Sequence, residues 1–241
     1  GNGFAVKILY DGLKPGIAPL SSENIVVFAV GPITDTAAPG ASRAYVASKS
    51  PLTGGFFDST FGGRFAVSQK RTGFEAIVIQ KMSSVPVYVY VNEEGASVLS
   101  AERLWGKNTE ETIEELLNAH GKSADVAAIG PAGEAGGRFA GISHQWKGRH
   151  GMAGRGGIGS VMGSKKLKAV VVEGKTKTTV ADPEVLENLL TECREPLKKK
   201  TQGLTNFGTP VLVALYQTQG ALGTRNLQQE VSGCWEAISA E

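Results

Sequence analysis

The sequence predicts an α+β protein in which a strand-rich first part is followed by a helical second part. Apolar runs of strand length, rich in Val and Ile, recur as far as residue 174. After residue 180 they give way to two segments of helical character, each opened by a capping residue and a proline. A layout of glycine loop, helix-length stretch and strand also occurs twice. The 241 residues, 41% of them hydrophobic, can bury a substantial core.

The first strands are expected near the beginning of the chain. FAVKILYDG (4–12) fits either a short helix or a strand, and this alternative stays open. NIVVFAV (24–30) has the apolar character of a buried strand and ends at Gly31-Pro32. RAYVASKS (43–50) alternates between apolar and polar residues, which is typical of a strand.

A glycine-rich loop, PLTGGFFDSTFGGRF (51–65), is expected next. One or two helical turns follow over residues 64–71. EAIVIQK (75–81) and PVYVYVN (86–92) then predict two strands.

NTEETIEELLNAHG (108–121) gives the clearest helix signal. Asn108 can cap it, Glu111 lies three residues later as in a capping box, and Gly121 ends it. Three further strands are expected after it, over ADVAAIG (124–130), RFAGISH (138–144) and LKAVVVEG (167–174).

The composition changes near residues 175–180. DPEVLENLLTECREPLKKK (182–200) predicts a helix capped by Asp182, which Pro196 ends or kinks. GTPVLVALYQTQG (208–220) predicts a second helix. We therefore expect a first domain over residues 1–177 and the beginning of a helical domain over 178–241. Because the chain does not open with Met, we expect it to be a piece of a longer protein.

Charge and cysteine content argue against several classes of protein. The net charge of +2 predicts no nucleic-acid or membrane surface, and no apolar run approaches the length of a membrane span. The two cysteines, Cys193 and Cys234, match no metal-binding spacing and suggest reduced thiols in a cytoplasmic protein.

Two segments share one layout. GGRFAVSQKRTGFEAIVIQK (62–81) and GGIGSVMGSKKLKAVVVEGK (156–175) each combine a Gly-Gly pair, a helix-length stretch and a strand. Arg64 or Arg155 stands beside the pair. The echo predicts a duplicated unit with two glycine loops related by a pseudo-two-fold axis.

Such loops suit an anionic ligand. Glycines let main-chain N–H groups approach a ligand closely, a helix N-terminus favours negative charge, and arginine pairs with phosphate. The alternative is that the glycines serve tight turns and close packing. Residues 154–159 match the dinucleotide fingerprint G-x-G-x-x-G, but the polar HQWKGRHGMA precedes them where a strand should end.

No catalytic residue is predicted. His120 is expected to cap a helix C-terminus, His144 to lie on the surface, and His150 to be the best candidate for a polar contact to a ligand. Asp58 is expected to cap a turn, and Trp105 to belong to the core. A cofactor cradle without a nucleophile or an acid–base pair is typical of a domain whose cofactor supplies the chemistry.

Several motifs in order resemble the N-terminal part of the aldehyde ferredoxin oxidoreductase family of tungsten-pterin enzymes. They are PLSSENIVVFAVGPIT (19–34), SKSPLTGG (48–55), FGGRF (61–65), LWGK (104–107), AAIGPAGE (127–134) and AGRGGIGSVMGSKKLKAVVVEG (153–174). The likeness covers nearly the whole chain.

The resemblance implies a first domain of two β-sheets with a pseudo-two-fold repeat, beneath a tungsten (or molybdenum) bis-pterin cofactor. It implies a magnesium ion that bridges the pterin phosphates, and a 4Fe–4S cluster whose cysteine ligands follow Glu241. The implied reaction oxidises an aldehyde to its carboxylic acid, with ferredoxin as electron acceptor and no activity expected of the fragment alone. Related enzymes that act on acids, acyl thioesters or sugars, a non-catalytic remnant, and a homo-oligomer are left open.

The resemblance also implies site residues. The cofactor-binding set is Arg43, Thr60, Gly62, Gly63, Met152, Ala153, Gly154, Arg155 and Gly156, with Thr60 and Met152 contributing to the magnesium site. Three positions depart from the family pattern: Thr60 replaces Asn, and Gly151 and Asn2 each replace Arg. Arg149 is expected to compensate for Gly151.

Overall fold

The structure is a computed structural model that describes residues 1–240. The chain forms two compact units, Gly1–Thr179 and a second that begins at Val180. The expected division lay after residue 177, and the cofactor-binding role of the first part stays a prediction. Within residues 1–240 no helix has the length and apolar character needed to cross a membrane.

The first unit contains a four-stranded antiparallel sheet of order β3-β2-β1-β4. Its strands are β1 (Val26–Ala29), β2 (Ala44–Lys49), β3 (Phe56–Phe61) and β4 (Ala76–Ile79). Helix α1 (Asn2–Gly12) packs on one face of this sheet, and α2 (Phe65–Arg71) connects β3 to β4.

The second sheet has six strands in the order β6-β5-β10-β7-β8-β9. They are β5 (Val87–Asn92), β6 (Gly95–Ser100), β7 (Asp125–Ala128), β8 (Ile142–Trp146), β9 (Arg149–Ala153) and β10 (Leu167–Val172). Only β5 and β10 pair in parallel. Its helices are α3 (Thr109–His120), α4 (Pro131–Glu134) and α5 (Ile158–Ser164).

The predicted internal repeat is a repeat of topology. In the first copy β1, β2 and β3 form an antiparallel meander, α2 follows, and β4 returns to pair with β1. In the second copy β7, β8 and β9 form the same meander, α5 follows, and β10 returns to pair with β7. The hairpin β5–β6 and helix α3 lie between the two copies in the chain.

The main core lies between the two sheets. It contains Val26 and Phe28 of the first sheet, Val170 and Val172 of the second, and Phe65 of α2. Helix α2 contacts β7 and β10 of the second sheet, whereas α5 contacts β1 and β2 of the first. The helix of each copy therefore packs against the sheet of the other copy, and these contacts hold the two sheets together.

Helix α3 covers the other face of the second sheet. Its N-terminus has the predicted capping box, in which Glu111 N–H donates to Asn108 Oδ1 at 2.9 Å and Asn108 N–H donates to Glu111 Oε2 at 3.2 Å. Ile113 and Leu116 point into a core cluster with Val126 and Val171.

The second unit is helical. It contains α6 (Pro183–Phe207), a 3₁₀ turn (Thr209–Leu212), α7 (Val213–Thr218) and a 3₁₀ turn (Trp235–Ile238). Asp182 caps α6, as predicted, by accepting from Val185 N–H at 3.0 Å. Pro196 lies inside α6 and does not end it. Proline has no N–H to donate to the carbonyl of residue 192, but residue 192 is exposed, so water can bond to that carbonyl instead.

Three strands escaped prediction. The segment 51–65 was expected as a loop but contains β3, and no strand was expected where β6 and β9 lie. All three are edge strands of their sheets. The open alternative at residues 4–12 resolves as helix α1.

Candidate functional site

A cavity of about 410 Å³ opens in the first unit where β3 and β9 approach each other. Its lining comprises Arg43, Thr60, Phe61, Gly62, Gly63, His144, Trp146, Arg149, His150, Gly151 and Met152. The structure thus brings together five residues of the predicted cofactor-binding set: Arg43, Thr60, Gly62, Gly63 and Met152.

On one side of the cavity the main chain of β3 is free. Ser50 N–H donates to Gly55 O at 2.9 Å, which places this pair in the hydrogen-bonded phase of the β2–β3 ladder. Because the phases alternate in an antiparallel pair, Tyr45 and Thr60 form a non-bonded pair. The N–H and C=O groups of Thr60 therefore point to the outer edge of β3, where no strand pairs with them.

On the other side of the cavity, the main chain of β9 also has an unpaired outer edge. Lys147 and Gly148 have φ values of 49° and 71°, as a type I′ hairpin turn requires, so Trp146 and Arg149 form the hydrogen-bonded closing pair. Two residues of β9, His150 and Met152, then fall in the non-bonded phase and direct their main-chain groups outward. Two free strand edges thus face the cavity.

The rim of the cavity is cationic. The side chains of Arg43 and Arg149 are exposed and form no hydrogen bond or ion pair with any of residues 1–240. His150 is exposed beside them, and the lining contains no Asp or Glu. An arrangement of unpaired guanidinium groups beside free main-chain N–H groups attracts an anion.

Aromatic side chains form another part of the lining. His144 and Trp146 lie two residues apart on β8 and share one face of the sheet. The ring of Phe61 lies 5.7 Å from the imidazole of His144, centroid to centroid. Phe61 and Trp146 were not expected at the site, although period-two alternation along β8 relates Trp146 to His144.

His144 is buried, with 1% of its surface exposed, so the prediction of a surface residue is wrong. Its Nδ1 lies 2.9 Å from the carbonyl of Val126, and its Nε2, itself buried, has no hydrogen-bond partner among residues 1–240. Burial lowers the pKa of His144, and this outweighs the opposing effects of the Val126 carbonyl and Asp125.

Asp125 lies behind His144. Its Oδ2 accepts from Arg64 Nε at 2.7 Å and from Ser68 Oγ, and its Oδ1 lies 3.9 Å from His144 Nε2. Burial raises the pKa of Asp125, against the lowering effects of Ser68 and Arg64.

Four residues of the predicted set lie outside the cavity lining. Ala153 is buried, and Gly156 packs so closely that a Cβ there would lie 2.2 Å from Phe57 Cδ1. Gly154 is half-buried, and Arg155 is exposed with a φ of 73°. Their contact with a cofactor stays a prediction.

Close packing explains several glycines of the loop 154–163. A Cβ on Gly159 would lie 2.4 Å from the carbonyl oxygen of Gly141, and one on Gly163 would lie 2.0 Å from that of Gly133. Helices α4 and α5 can touch only because Gly163 has no side chain, and α5 can lie against residues 140–141 only because Gly159 has none. The packing alternative raised by the sequence therefore holds for these positions.

Three further predictions were wrong. His120 does not cap its helix; its Nε2 lies 3.0 Å from Tyr88 Oη, and its ring stacks on Tyr90 at 4.4 Å. Asp58 caps no turn, because it lies on β3 and accepts from Asn2 Nδ2 at 3.0 Å. Trp105 was expected in the core but is half-buried and belongs to no core cluster of the described residues; Lys166 Nζ lies 5.3 Å from its ring centre. Within residues 1–240 no three His, Cys, Asp or Glu side chains converge as metal ligands.

Comparison with known proteins gives a consistent result. The family model described as "Aldehyde ferredoxin oxidoreductase, N-terminal domain" matches residues 1–174. A tungsten-containing aldehyde ferredoxin oxidoreductase of Pyrococcus horikoshii is 41% identical over 233 residues, which are 95% of this chain. An aliphatic sulfonate oxidoreductase, WOR-like subunit, of Pyrococcus furiosus is 32% identical over 209 residues, 80% of this chain and 33% of that protein.

A solved structure is also similar. The active site complex BamBC of benzoyl coenzyme A reductase, in complex with 1,5-dienoyl-CoA, gives a TM-score of 0.81 at 32% identity over 99% of this chain and 38% of that one. The chain spans 38% of the length of the tungsten-containing relatives it matches. From the domain match, these identities and the shared fold we conclude that the chain belongs to the aldehyde ferredoxin oxidoreductase family.

Proposed function

We propose that this chain is the cofactor-binding part of an enzyme that oxidises aldehydes to carboxylic acids and passes the electrons to ferredoxin. One observation carries the proposal. The cavity between β3 and β9 combines the unpaired Arg43 and Arg149 with two free strand edges, which suits a large phosphorylated ligand. The identity to tungsten-containing aldehyde ferredoxin oxidoreductases supports the choice of reaction.

The residues present fit a tungsten or molybdenum bis-pterin. Arg43 and Arg149 would pair with phosphate, and the glycines at 62 and 63 leave the main chain bare. The outward carbonyls of Thr60 and Met152 supply the hard oxygen ligands that magnesium prefers, so these two residues would hold a magnesium ion between phosphates. The four predicted residues 153–156 would extend the contact along the adjoining loop.

When bound, the cofactor supplies the redox chemistry of aldehyde oxidation. The residues of this chain bind and orient it. The arginines neutralise its charge, the two strand edges fix its position from both sides, and the sheets behind them provide a rigid support. None of the described residues is assigned a proton transfer to the substrate.

A 4Fe–4S cluster would be held by cysteines beyond residue 241, and residues 178–241 would begin the helical domain that contributes them. Residues 1–177 would form the cofactor-binding domain. We propose ferredoxin as the redox partner, no nucleic-acid partner, and the cytoplasm as the location.

Reduction of an aromatic acyl thioester is a second candidate, because the similar solved structure is a benzoyl coenzyme A reductase complex. The higher identity to the aldehyde enzymes favours aldehyde oxidation. Two assays of the full-length enzyme distinguish these candidates. Aldehyde oxidation predicts that aldehydes reduce ferredoxin. Thioester reduction predicts that an aromatic acyl thioester oxidises reduced ferredoxin.

The cofactor site is tested by metal and pterin analysis of the full-length protein purified without oxygen. We expect Arg43→Ala and Arg149→Ala each to weaken cofactor retention about tenfold or more, because each loses a charge-assisted contact to phosphate. Arg103→Ala is the matched control, since Arg103 is an exposed arginine outside the cavity lining. Full retention in both cavity variants would reject this site.

A further inference from the structure

We propose that Arg64 is a positioning residue for the ligand of the cavity between β3 and β9. It ties the segment Gly62–Gly63, which lines the cavity, to residues 122–125 of the second sheet, although Arg64 itself is not part of the lining. The proposal rests on the proposed function and deepens it, because it names a residue outside the cavity on which retention of the cofactor depends.

The first observation is that the segment Gly62–Gly63 has free main-chain groups. It lies between the last pair of the β2–β3 ladder, Ala44 with Phe61, and the start of α2. Its main-chain N–H and C=O groups form no hydrogen bond with any of residues 1–240. Such groups are available to a ligand, but a segment without main-chain hydrogen bonds has to be held in place by other contacts.

Arg64 provides these contacts on the α2 side of the segment. Its Nε donates to Asp125 Oδ2 at 2.7 Å, and its Nη2 lies 3.0–3.1 Å from each of the carbonyl oxygens of residues 122–124. Asp125 is 3% exposed and opens β7. Hydrogen bonds between ionised groups are about twice as strong as neutral ones. The residue that follows Gly63 is thus fastened to the second sheet.

Asp125 also fastens the helix that follows. Its Oδ2 accepts from Ser68 Oγ in the first turn of α2. No side chain caps the N-terminus of α2 by a hydrogen bond. One buried carboxylate therefore fixes both the end of the glycine segment and the direction in which the chain continues.

The position of the glycine segment determines the shape of the cavity. A Cβ on Gly62 would lie 3.7 Å from Arg43 Nη1, and a Cβ on Gly63 would lie 2.7 Å from His144 Nε2. A Cβ on Gly151 of β9 would lie 3.2 Å from the carbonyl oxygen of Gly62. A shift of the segment would therefore change its distance from the guanidinium of Arg43 and from the edge of β9, and both line the cavity.

Arginine is needed at position 64 for a geometric reason. Its planar guanidinium presents Nε to the carboxylate and Nη2 to the carbonyls at the same time. The ammonium of lysine is a single donor atom and cannot occupy both places. Lysine would suffice if only the positive charge mattered, so Arg64→Lys separates the positioning role from long-range attraction of a phosphate.

The test uses the full-length holoenzyme purified without oxygen and measures the rate at which it releases pterin. We expect Arg64→Lys to release pterin about tenfold faster than wild type, because the glycine segment is no longer held in place. Arg64→Ala should release it as fast as Arg64→Lys does, since the charge that lysine keeps does not replace the lost contacts.

Arg71→Lys is the matched control. Arg71 lies in the last turn of α2, its side chain is 33% exposed against 36% for Arg64, and it pairs with the buried Asp35 at 2.7 Å. Arg71→Lys should lose a comparable share of stability, measured by thermal unfolding, but release pterin at the wild-type rate. A purely structural role of Arg64 would make the two lysine variants behave alike.

Pterin release from Arg64→Lys as slow as from Arg71→Lys would overturn the role of Arg64. If Arg64→Lys does not fold, Asp125→Asn decides, because it keeps the shape of the side chain and weakens its bond to Arg64. Release at the wild-type rate from that variant would overturn the proposal, and faster release from Arg43→Ala would still leave the proposed function standing. A wild-type protein that holds no pterin would overturn both.

Discussion

Gly156 is required for packing, although it lies in the glycine-rich loop for which the sequence predicted contact with a cofactor. Its Cα faces the ring of Phe57, and its carbonyl accepts from Ser50 Oγ at 2.7 Å. A methyl group there has no room, because the nearest ring atom would be 2.2 Å away.

We expect Gly156→Ala to lower the free energy of unfolding by about 2–3 kcal/mol through displacement of Phe57. Gly154→Ala is the matched control in the same loop, since a Cβ there would approach nothing nearer than Met152 Cγ at 3.9 Å. Urea unfolding of both variants measures the difference. Equal stabilities would show that the contact with Phe57 has little weight.

Within residues 1–240, Lys165 is a buried cation without a carboxylate partner. Its side chain is 2% exposed, and Nζ donates to the carbonyls of Lys81 at 2.8 Å and Ser22 at 3.3 Å. Burial lowers the pKa of Lys165 to about 8. In the unfolded chain the group keeps its proton up to an ordinary lysine pKa, so between these two values the unfolded state binds more protons.

Stability should therefore rise with pH in this window. Between about pH 7.5 and 9.5 we expect the free energy of unfolding of wild type to gain about 1–2 kcal/mol relative to Lys165→Met, which lacks the titrating group. Urea unfolding of both proteins at the two pH values tests this. Parallel pH profiles would mean that folding leaves the Lys165 pKa unchanged.

Among the elements, α3 depends on its N-terminal capping box. Asn108→Ala removes the acceptor for Glu111 N–H, and we expect a loss of about 1 kcal/mol in the free energy of unfolding. Asn118→Ala changes the same residue type at an exposed position inside α3, where alanine favours the helix. Thermal unfolding should rank Asn108→Ala below wild type and Asn118→Ala at or above it; the reverse order would contradict the capping role.

Prediction from sequence succeeded for central strands and failed at edges. β1, β7 and β10 are buried on both faces, and each contains an apolar run (VVFA, VAA and AVVV) that the sequence shows clearly. β6 is exposed along nearly its whole length, and β9 is exposed at three of its five positions, so neither carries such a pattern. Edge strands are held by main-chain pairing that leaves little trace in side chains.

The same reason limits what sequence could say about the site. Arg43, Thr60 and Met152 were placed by resemblance to a family, whereas β3 and β9, which carry two of them, were not predicted as strands. The burial of His144 also depends on β9, because the pairing of β8 with β9 and the approach of β3 enclose its ring. Long-range pairing of this kind has no local signal.

At the scale of the molecule, the first unit holds both sheets and their cores. We expect residues 1–179, produced alone, to unfold in one cooperative transition, because the main core draws on both sheets. Calorimetry with equal calorimetric and van't Hoff enthalpies would bear this out. A chain of residues 1–92 is the control; it ends before β7 and β10, and it should not fold.

The free edges of β3 and β9 have a consequence for how the protein is handled in a cell. A ligand seated between them shields two rows of main-chain donors and acceptors. Without it, those rows are open to strands of other chains, which is a common route to aggregation. Newly made protein that awaits its ligand is therefore its most vulnerable form, and losses to aggregates during expression should fall as the supply of ligand rises.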